Sequence, residues 1–262
     1  MIKFIFKFKL WNLYSILFKI KQKSKIKDKW VFGRMAYMGL DTFKLCKIDY
    51  PLFNVQKGRV DLLVEMLFQK NELSIVNPVR SVPFIDRDDI KNLIFQQRYL
   101  ELLREVKNKP IAIFMDDFSE LTDQKFKSRE NNDYFFANYS DVNEQFNDYY
   151  ICEGLVKEQD IKDKYYLFFT LLRKKWQDVP IVFMHFPIEL EYRAKFKLRS
   201  QIIRAAIEDI SLNEKFQPFN QISVPSEIVK LPENSTDKFP YHYCEEVYSY
   251  MAKEIGSLNL SL

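Results

Sequence analysis

From Trp30 onward, the hydrophobic pattern alternates between short apolar runs and longer stretches with helical spacing. The two clearest apolar runs are PIAIFMDDF, which starts at Pro110, and PIVFMHF, which starts at Pro180. A continuous apolar run is typical of a strand that is covered on both faces in a parallel sheet. Weaker strand patterns are WVFG at 30–33, FNVQ at 53–56, LSIVNPV at 73–79 and QISVP at 221–225. This alternation predicts an α/β domain with a mostly parallel sheet.

Helical spacing fills the segments between these runs. We predict a first helix that ends near Cys46, and a second in the amphipathic stretch RVDLLVEMLFQK. The stretch DDIKNLIFQQRYLELLREVK predicts one long helix, which Asp88 or Asp89 could cap. A last helix is predicted from about Tyr243 to Glu254.

Composition narrows the class of protein. A chain of 262 residues that is 47% hydrophobic can bury one large core, so we expect one domain with a short appendage. The three cysteines are an odd number and lack metal-type spacing. We therefore expect neither a disulfide framework nor a zinc site, and a reducing cytosolic environment. We also expect no cofactor.

Charge is concentrated at the N terminus. Residues 1–30 carry nine lysines and one aspartate, so they hold +8 while the total is +4. The longest uncharged run after Lys9 is Leu10–Phe18, which is too short to span a bilayer. No small-residue cleavage site follows it, so we expect the segment to be retained.

The lysines of residues 1–29 are interleaved with apolar and aromatic side chains. This pattern favours an amphipathic segment on an anionic membrane surface, followed by the α/β domain at 30–258. The alternative is a segment that packs on the domain and leaves its lysines in solvent. Nucleic-acid binding is not expected, because the body of the chain is acidic and carries no recognition motif.

Candidate chemistry clusters where the strand patterns end. Asp116 and Asp117 follow one clear strand, and His185 follows the other. Ligands of open parallel sheets bind outside the carboxyl ends of the strands, so these side chains are candidate substrate-binding groups. Arg34, at the mouth of the first strand, could bind a phosphate or carboxylate bidentately.

Each of these candidates has a structural alternative. An aspartate of DDFSELTD could cap the helix that starts near Ser119, and His185 could be a satisfied core histidine. Arg34 could form an ion pair with Asp116 or Asp117. His242, the second of only two histidines, could cap the last helix.

The segment TDKFPYHYCEEVYSYMAKEI contains Asp237 and His242 directly before the last predicted helix. It resembles the block of SGNH/GDSL-type hydrolases in which a catalytic Asp and His precede the final helix. Four residues separate the pair here, whereas two separate it in that family. The resemblance implies that His242 is the base and that Asp237 orients it.

The segments VFGRMAYMG and IAIFMDDFSELTDQKF are similar to an uncharacterised SGNH-like family of bacterial surface-polysaccharide gene clusters. That family has Gly-Ser-Cys after the first strand, where this chain has Gly33, Arg34 and Met35, so the nucleophilic serine is absent. Ser119 or Ser81 is a candidate replacement hydroxyl. Asn138 in FANYSD resembles the family's oxyanion-binding asparagine.

These resemblances imply a single three-layer SGNH-like domain of flavodoxin-related topology. They also imply hydrolysis or transfer of acyl esters on a carbohydrate, on the cytoplasmic face of the membrane and beside polysaccharide-assembly proteins. One alternative is a catalytically inactive module that binds a glycan intermediate or a partner. Another is a transferase that uses a nucleotide-linked sugar, with Arg34 on the phosphate.

Overall fold

The computed structural model describes residues 26, 28–68, 84–233, 241–258 and 260. The predicted strand at 73–79, most of the N-terminal segment and the loop residue Asp237 lie outside the described residues. Eight strands lie in the described part: β1 (Val31–Arg34), β2 (Leu52–Asn54), β3 (Ala112–Asp116), β4 (Asp123–Ser128), β5 (Tyr134–Asn138), β6 (Tyr150–Gly154), β7 (Ile181–Met184) and β8 (Phe219–Ile222).

Nine α-helices lie in the same described residues. They are α1 (Tyr37–Leu45), α2 (Val60–Phe68), α3 (Asp88–Gln96), α4 (Leu100–Glu105), α5 (Phe118–Thr122), α6 (Phe146–Tyr149), α7 (Ile161–Lys175), α8 (Ala194–Ser211) and α9 (Glu245–Ser257).

Five strands form one parallel sheet in the order β2-β1-β3-β7-β8. Numbered along the chain within this sheet, the order is 2-1-3-4-5, which is the flavodoxin-like doubly wound order. The three central strands are fully buried, as their continuous apolar runs predict. The α/β prediction is therefore confirmed.

Helices cover both faces of this sheet and produce three layers. Helices α1 and α9 pack together, while α2, α7 and α8 pack in sequence with one another. Trp30 and Trp176 meet edge to face within the core, with ring centroids 5.7 Å apart.

A second sheet, which the sequence did not predict, interrupts the connection between β3 and β7. Its three antiparallel strands lie in the order β5-β4-β6. Phe126 and Phe135 stack at 4.9 Å in a small apolar cluster that also includes Phe84 and Phe146. This insertion covers part of the carboxyl edge of the parallel sheet.

The long helix predicted after Asp88 is divided in two. A 3-10 turn at Gln97–Tyr99 separates α3 from α4, and the buried Gln97 amide bonds both backbone groups of Phe136. The residue at the N-cap of α3 is Arg87, and Asp88 and Asp89 lie in the first helical turn. The capping prediction for the two aspartates is therefore wrong.

The described helices include none with the length and apolar character that crossing a bilayer requires.

Candidate functional site

The carboxyl ends of β1, β3 and β7 lie side by side. Arg34 is in register with Met115, and Asp116 is in register with Met184. This alignment brings Arg34, Asp116, Asp117 and His185 to one edge of the parallel sheet. The edge is therefore the place to look for a site.

Arg34 is buried in an ion pair. Its Nη1 lies 2.6 Å from Glu120 Oε2, and both side chains are fully buried. Its Nη2 donates to the Asp116 carbonyl. Glu120 also accepts hydrogen bonds from the Tyr165 hydroxyl at 2.6 Å and the Val60 N–H at 2.7 Å. The ion-pair partner of Arg34 is thus Glu120, and the guanidinium ties β1 to α5 and α7.

Asp116 faces backbone N–H groups. Its Oδ2 accepts from the Ala36 N–H at 2.6 Å, and its Oδ1 accepts from the Phe118 N–H at 3.2 Å. Burial raises the pKa of Asp116 to about 8, although nearby Arg34 lowers it. A Cβ added to Gly39 would lie 2.8 Å from Oδ2, so α1 approaches this carboxyl closely.

Asp117 and His185 form a buried chain of contacts. Asp117 Oδ1 accepts from the Phe186 N–H at 2.9 Å, and its Oδ2 lies 3.3 Å from His185 Nδ1. His185 Nε2 lies 2.8 Å from Gln221 Oε1, and the residue is only 2% exposed. Both ring nitrogens therefore face protein oxygens, which is the arrangement of a core histidine.

Ser119 is also directed into the protein. The residue is 1% exposed, and its Oγ donates to the Gln56 carbonyl at 3.1 Å. Asp117 occupies the N-cap of α5 without a capping hydrogen bond from its side chain, and it is the Asp116 carboxyl that accepts from the first helical N–H, that of Phe118. Ser81 and Asp237 lie outside the described residues, so their predicted roles stay predictions.

Above these buried groups lies a pocket of about 570 Å³. Its walls come from the loops after β1, β2 and β3, from α3, from the end of β5, and from the segment before α9. Two predicted site residues, His242 and Asn138, line it together.

His242 is exposed in this pocket and stacks on Tyr37. The two ring centroids are 4.9 Å apart, with 15° between the planes. Tyr37 in turn packs on Phe118, with ring centroids 5.5 Å apart. The pocket therefore has an aromatic wall.

The neighbours of His242 hold it in place. Tyr241 and Tyr243 are both buried, and their hydroxyls donate to Glu191 Oε2 at 2.9 Å and to the Pro187 carbonyl at 3.1 Å. Because the two tyrosines point inward, the residue between them points outward. The sequence YHY thus fixes the imidazole at the pocket rim.

The charged residues of the lining are paired. Lys57 Nζ lies 2.7 Å from Asp141 Oδ2 and 3.3 Å from Asp123 Oδ1. Burial opposes the charge of Lys57, but the two aspartates outweigh it and raise its pKa. Arg87 pairs with Asp89 at 2.5 Å.

Amide side chains complete the polar lining. They are Gln56, Asn92, Gln96 and Asn138. Gln56 and Lys57 were not among the predicted site residues, although Gln56 ends the weak strand pattern FNVQ at 53–56 and Lys57 directly follows it. The position after a strand in the α/β pattern was the signal that could have found them.

Neither a family model, nor a curated protein, nor a solved structure matches this chain. The SGNH resemblance therefore stays a prediction. Among the described lining residues, the hydroxyl-bearing side chain is that of Tyr37. The described residues also contain no group of three or more His, Cys, Asp or Glu side chains that could hold a metal ion. The arrangement combines ring stacking with amide and carboxylate hydrogen bonding.

Proposed function

We propose that the protein binds a carbohydrate in the pocket at the carboxyl edge of the sheet. The observation that carries this proposal is the exposed His242 ring stacked on Tyr37. Flat aromatic faces offer an apolar surface to the C–H face of a sugar ring, while nearby polar groups bind its hydroxyls. The volume of about 570 Å³ suits a ligand of one or two sugar rings.

The charges of the lining favour a neutral sugar. Lys57 and Arg87 each have a carboxylate partner, so an anionic ligand would have to compete with Asp141 or Asp89. Amide side chains, in contrast, both donate hydrogen bonds to hydroxyls and accept them, and carboxylates accept hydrogen bonds from hydroxyls. The proposed ligand is therefore a neutral, hydroxyl-rich glycan intermediate, in keeping with a role in surface-polysaccharide assembly.

Saturation-transfer NMR and calorimetry with a panel of neutral oligosaccharides would test the proposal. His242→Ala removes the stacked ring, so we expect about tenfold weaker binding, which corresponds to about 1.4 kcal/mol. His242→Phe keeps a ring and loses the imidazole nitrogens, so it should retain most of the affinity. Equal binding by the wild type and the alanine variant would contradict the proposal.

A second candidate function is hydrolysis or transfer of an acyl ester on that carbohydrate. It is favoured by one observation: His242, the candidate base, and Asn138, the candidate oxyanion donor, line the same pocket. Asp237 would orient the imidazole. The burial of Ser119 gives this candidate no accessible nucleophile at that position.

A fluorophosphonate probe separates the two candidates. Acyl chemistry through a serine predicts one adduct, located by mass spectrometry, that both His242→Ala and His242→Phe abolish. Binding alone predicts no adduct, with affinity retained in His242→Phe. Ser119→Ala is expected to leave any labelling unchanged.

The nucleotide-sugar alternative depends on Arg34. Its guanidinium is buried against Glu120, so a phosphate would have to displace that carboxylate and enter the core. This geometry offers no support for the transferase hypothesis. If nucleotide sugars protected the protein against thermal unfolding, that result would support the transferase hypothesis.

We also propose that residues 1–29 hold the protein at an anionic surface on the cytoplasmic face of the membrane. The support is their nine lysines among apolar residues. A full-length variant with the eight lysines before Asp28 changed to glutamine should no longer sediment with phosphatidylglycerol vesicles. Unchanged sedimentation would contradict the proposal.

A further inference from the structure

A groove of about 520 Å³ lies at the opposite, amino edge of the parallel sheet. One wall is the loop that follows α1, at residues 46–50, and the other is the end of α9 with the residues after it. Helix α9 starts beside the carbohydrate pocket and runs to this edge. The groove is therefore separate from that pocket.

The described lining of the groove combines apolar side chains with the charged Lys47 and Asp49. Its apolar members are Ile48, Tyr50, Ile255, Leu258 and Leu260. All of them belong to the main apolar core or pack against it, so both walls are anchored. Amide side chains, which line the carbohydrate pocket, are absent from the described lining here.

Cationic groups stand at the rim of the groove. Lys47 is exposed and has a φ of 52°, a left-handed conformation that turns the chain out of α1. Lys29 Nζ lies over the Tyr50 ring, 5.8 Å from its centroid. Asp49 is the one acidic residue of the described lining.

The chain enters the domain at this same edge. Trp30 directly precedes β1, and its carbonyl accepts a hydrogen bond from the Ile111 N–H just before β3. The basic run of residues 1–29 therefore ends beside the groove. Positive charge and a cleft that contains four aliphatic side chains meet at one edge of the domain.

We propose that the groove holds an acyl chain of an anionic phospholipid when the protein is at the membrane surface. The aliphatic side chains of the groove match the hydrocarbon chain, and Lys29 and Lys47 match the phosphate of the head group. The volume lies within the range of about 300–1,000 Å³ that small-molecule sites occupy. This site lies in the folded domain, so it goes beyond the proposed attachment through residues 1–29, and it does not depend on carbohydrate binding.

The test uses the full chain and vesicles of phosphatidylcholine and phosphatidylglycerol in equal parts. A trace of phosphatidylglycerol with a photoreactive diazirine on its acyl chain is crosslinked to the protein, and the adducts are mapped by mass spectrometry. We expect adducts on residues 46–50 and 255–260. Adducts confined to residues 1–29 would overturn the groove proposal while leaving the N-terminal attachment standing.

Gly256 supplies a blocking variant. It lines the groove, is exposed, and a Cβ built on it meets no atom within 4 Å. Gly256→Trp should therefore fill the groove without disturbing the core and should reduce groove labelling about tenfold. Gly256→Ala, the matched control, should label like the wild type. Equal labelling of a folded tryptophan variant would overturn the proposal.

A second variant tests the head-group contact. Lys29 and Lys47 are both exposed, so Lys29→Gln with Lys47→Gln is expected to fold normally. In this double variant, the phosphatidylglycerol probe should label the groove less than in the wild type. The yield should approach that of a matched phosphatidylcholine probe. If the wild type labels equally with both probes, the assignment to an anionic lipid is wrong.

Discussion

Buried side chains at the two edges of the parallel sheet bind backbone groups of opposite kind. At the carboxyl edge, the carboxyl groups of Asp116 and Glu120 accept from backbone N–H groups at the starts of α1, α5 and α2. At the amino edge, the Arg173 guanidinium donates to the carbonyls of Val179, Phe216 and Pro218. In a parallel α/β fold, the helix starts thus supply N–H donors at the carboxyl edge, and the segments that lead into the strands supply carbonyl acceptors at the amino edge.

This comparison also explains the different linings of the two concave sites. Helix starts and loops at the carboxyl edge bring polar groups, which the pocket uses. The chain at the amino edge returns directly into β2, and four aliphatic side chains, Ile48, Ile255, Leu258 and Leu260, line the groove beside Lys47 and Asp49. The amide side chains therefore distinguish the pocket from the groove, whose described lining lacks them.

The largest expected effect is at the carboxyl edge. Glu120→Ala leaves Arg34 buried without its carboxylate partner, so we expect a loss of about 3–5 kcal/mol in the free energy of unfolding. Denaturant unfolding would measure it. Asp209→Ala, which removes an exposed pair with Lys162, is the control and should change stability little. A similarly small loss of stability in Glu120→Ala and Asp209→Ala would contradict this expectation.

The matching change at the amino edge is Arg173→Met. It removes the donors from three carbonyls, so we expect a loss of about 2–3 kcal/mol. Arg173→Lys keeps a cation but loses the planar guanidinium. Its free energy of unfolding should therefore lie between those of the wild type and Arg173→Met. If lysine restored full stability, charge alone would account for the interaction.

The titration of Asp116 should make the free energy of unfolding depend on pH. Its pKa is about 8 in the folded protein because of burial, against about 4 in an unfolded chain. Between these values the folded state keeps a proton that the unfolded state has released. Rising pH therefore lowers the free energy of unfolding, by at most about 1.4 kcal/mol per pH unit. Asp116→Asn should flatten this part of the profile, and an unchanged slope would contradict the assignment.

The smallest expected effect compares two glycines. Gly256→Ala places a methyl in open space on a helix and should raise the free energy of unfolding by about 0.5–1 kcal/mol. Gly39→Ala, beside Asp116, would bring a Cβ within 2.8 Å of Oδ2 and should lower it. Thermal unfolding of both variants would show whether a methyl group is tolerated at Gly256 and not at Gly39.

Much of the parallel sheet could be predicted from the sequence. The runs from Pro110 and Pro180 are continuous because β3 and β7 are covered on both faces. The antiparallel sheet was missed because β4, with the sequence DQKFKS, carries two lysines and an aspartate, and reads as a polar segment. Its stability comes from Phe126 stacking on Phe135, a contact between separate strands that no local pattern reports.

The site was predictable in position but not in side-chain direction. The sequence placed Arg34, Asp116 and His185 at strand ends, and they lie there. Their side chains turn into the protein, because Glu120 and Gln221 supply partners from elsewhere in the chain. His242 and Asn138 do line the pocket, but the α3 residues opposite them come from a helix whose position depends on the unpredicted sheet.

Helices α1 and α9 each reach from the pocket to the groove. Tyr37 opens α1 at the pocket, and α1 ends next to Cys46 in the groove. His242 precedes α9, which ends past Ile255 in the groove. The two helices pack against each other, and the five residues of β3 alone separate the edges by about 17 Å. Because Tyr37 opens one helix and His242 directly precedes the other, the packing of α1 on α9 sets the relative position of the two stacked rings.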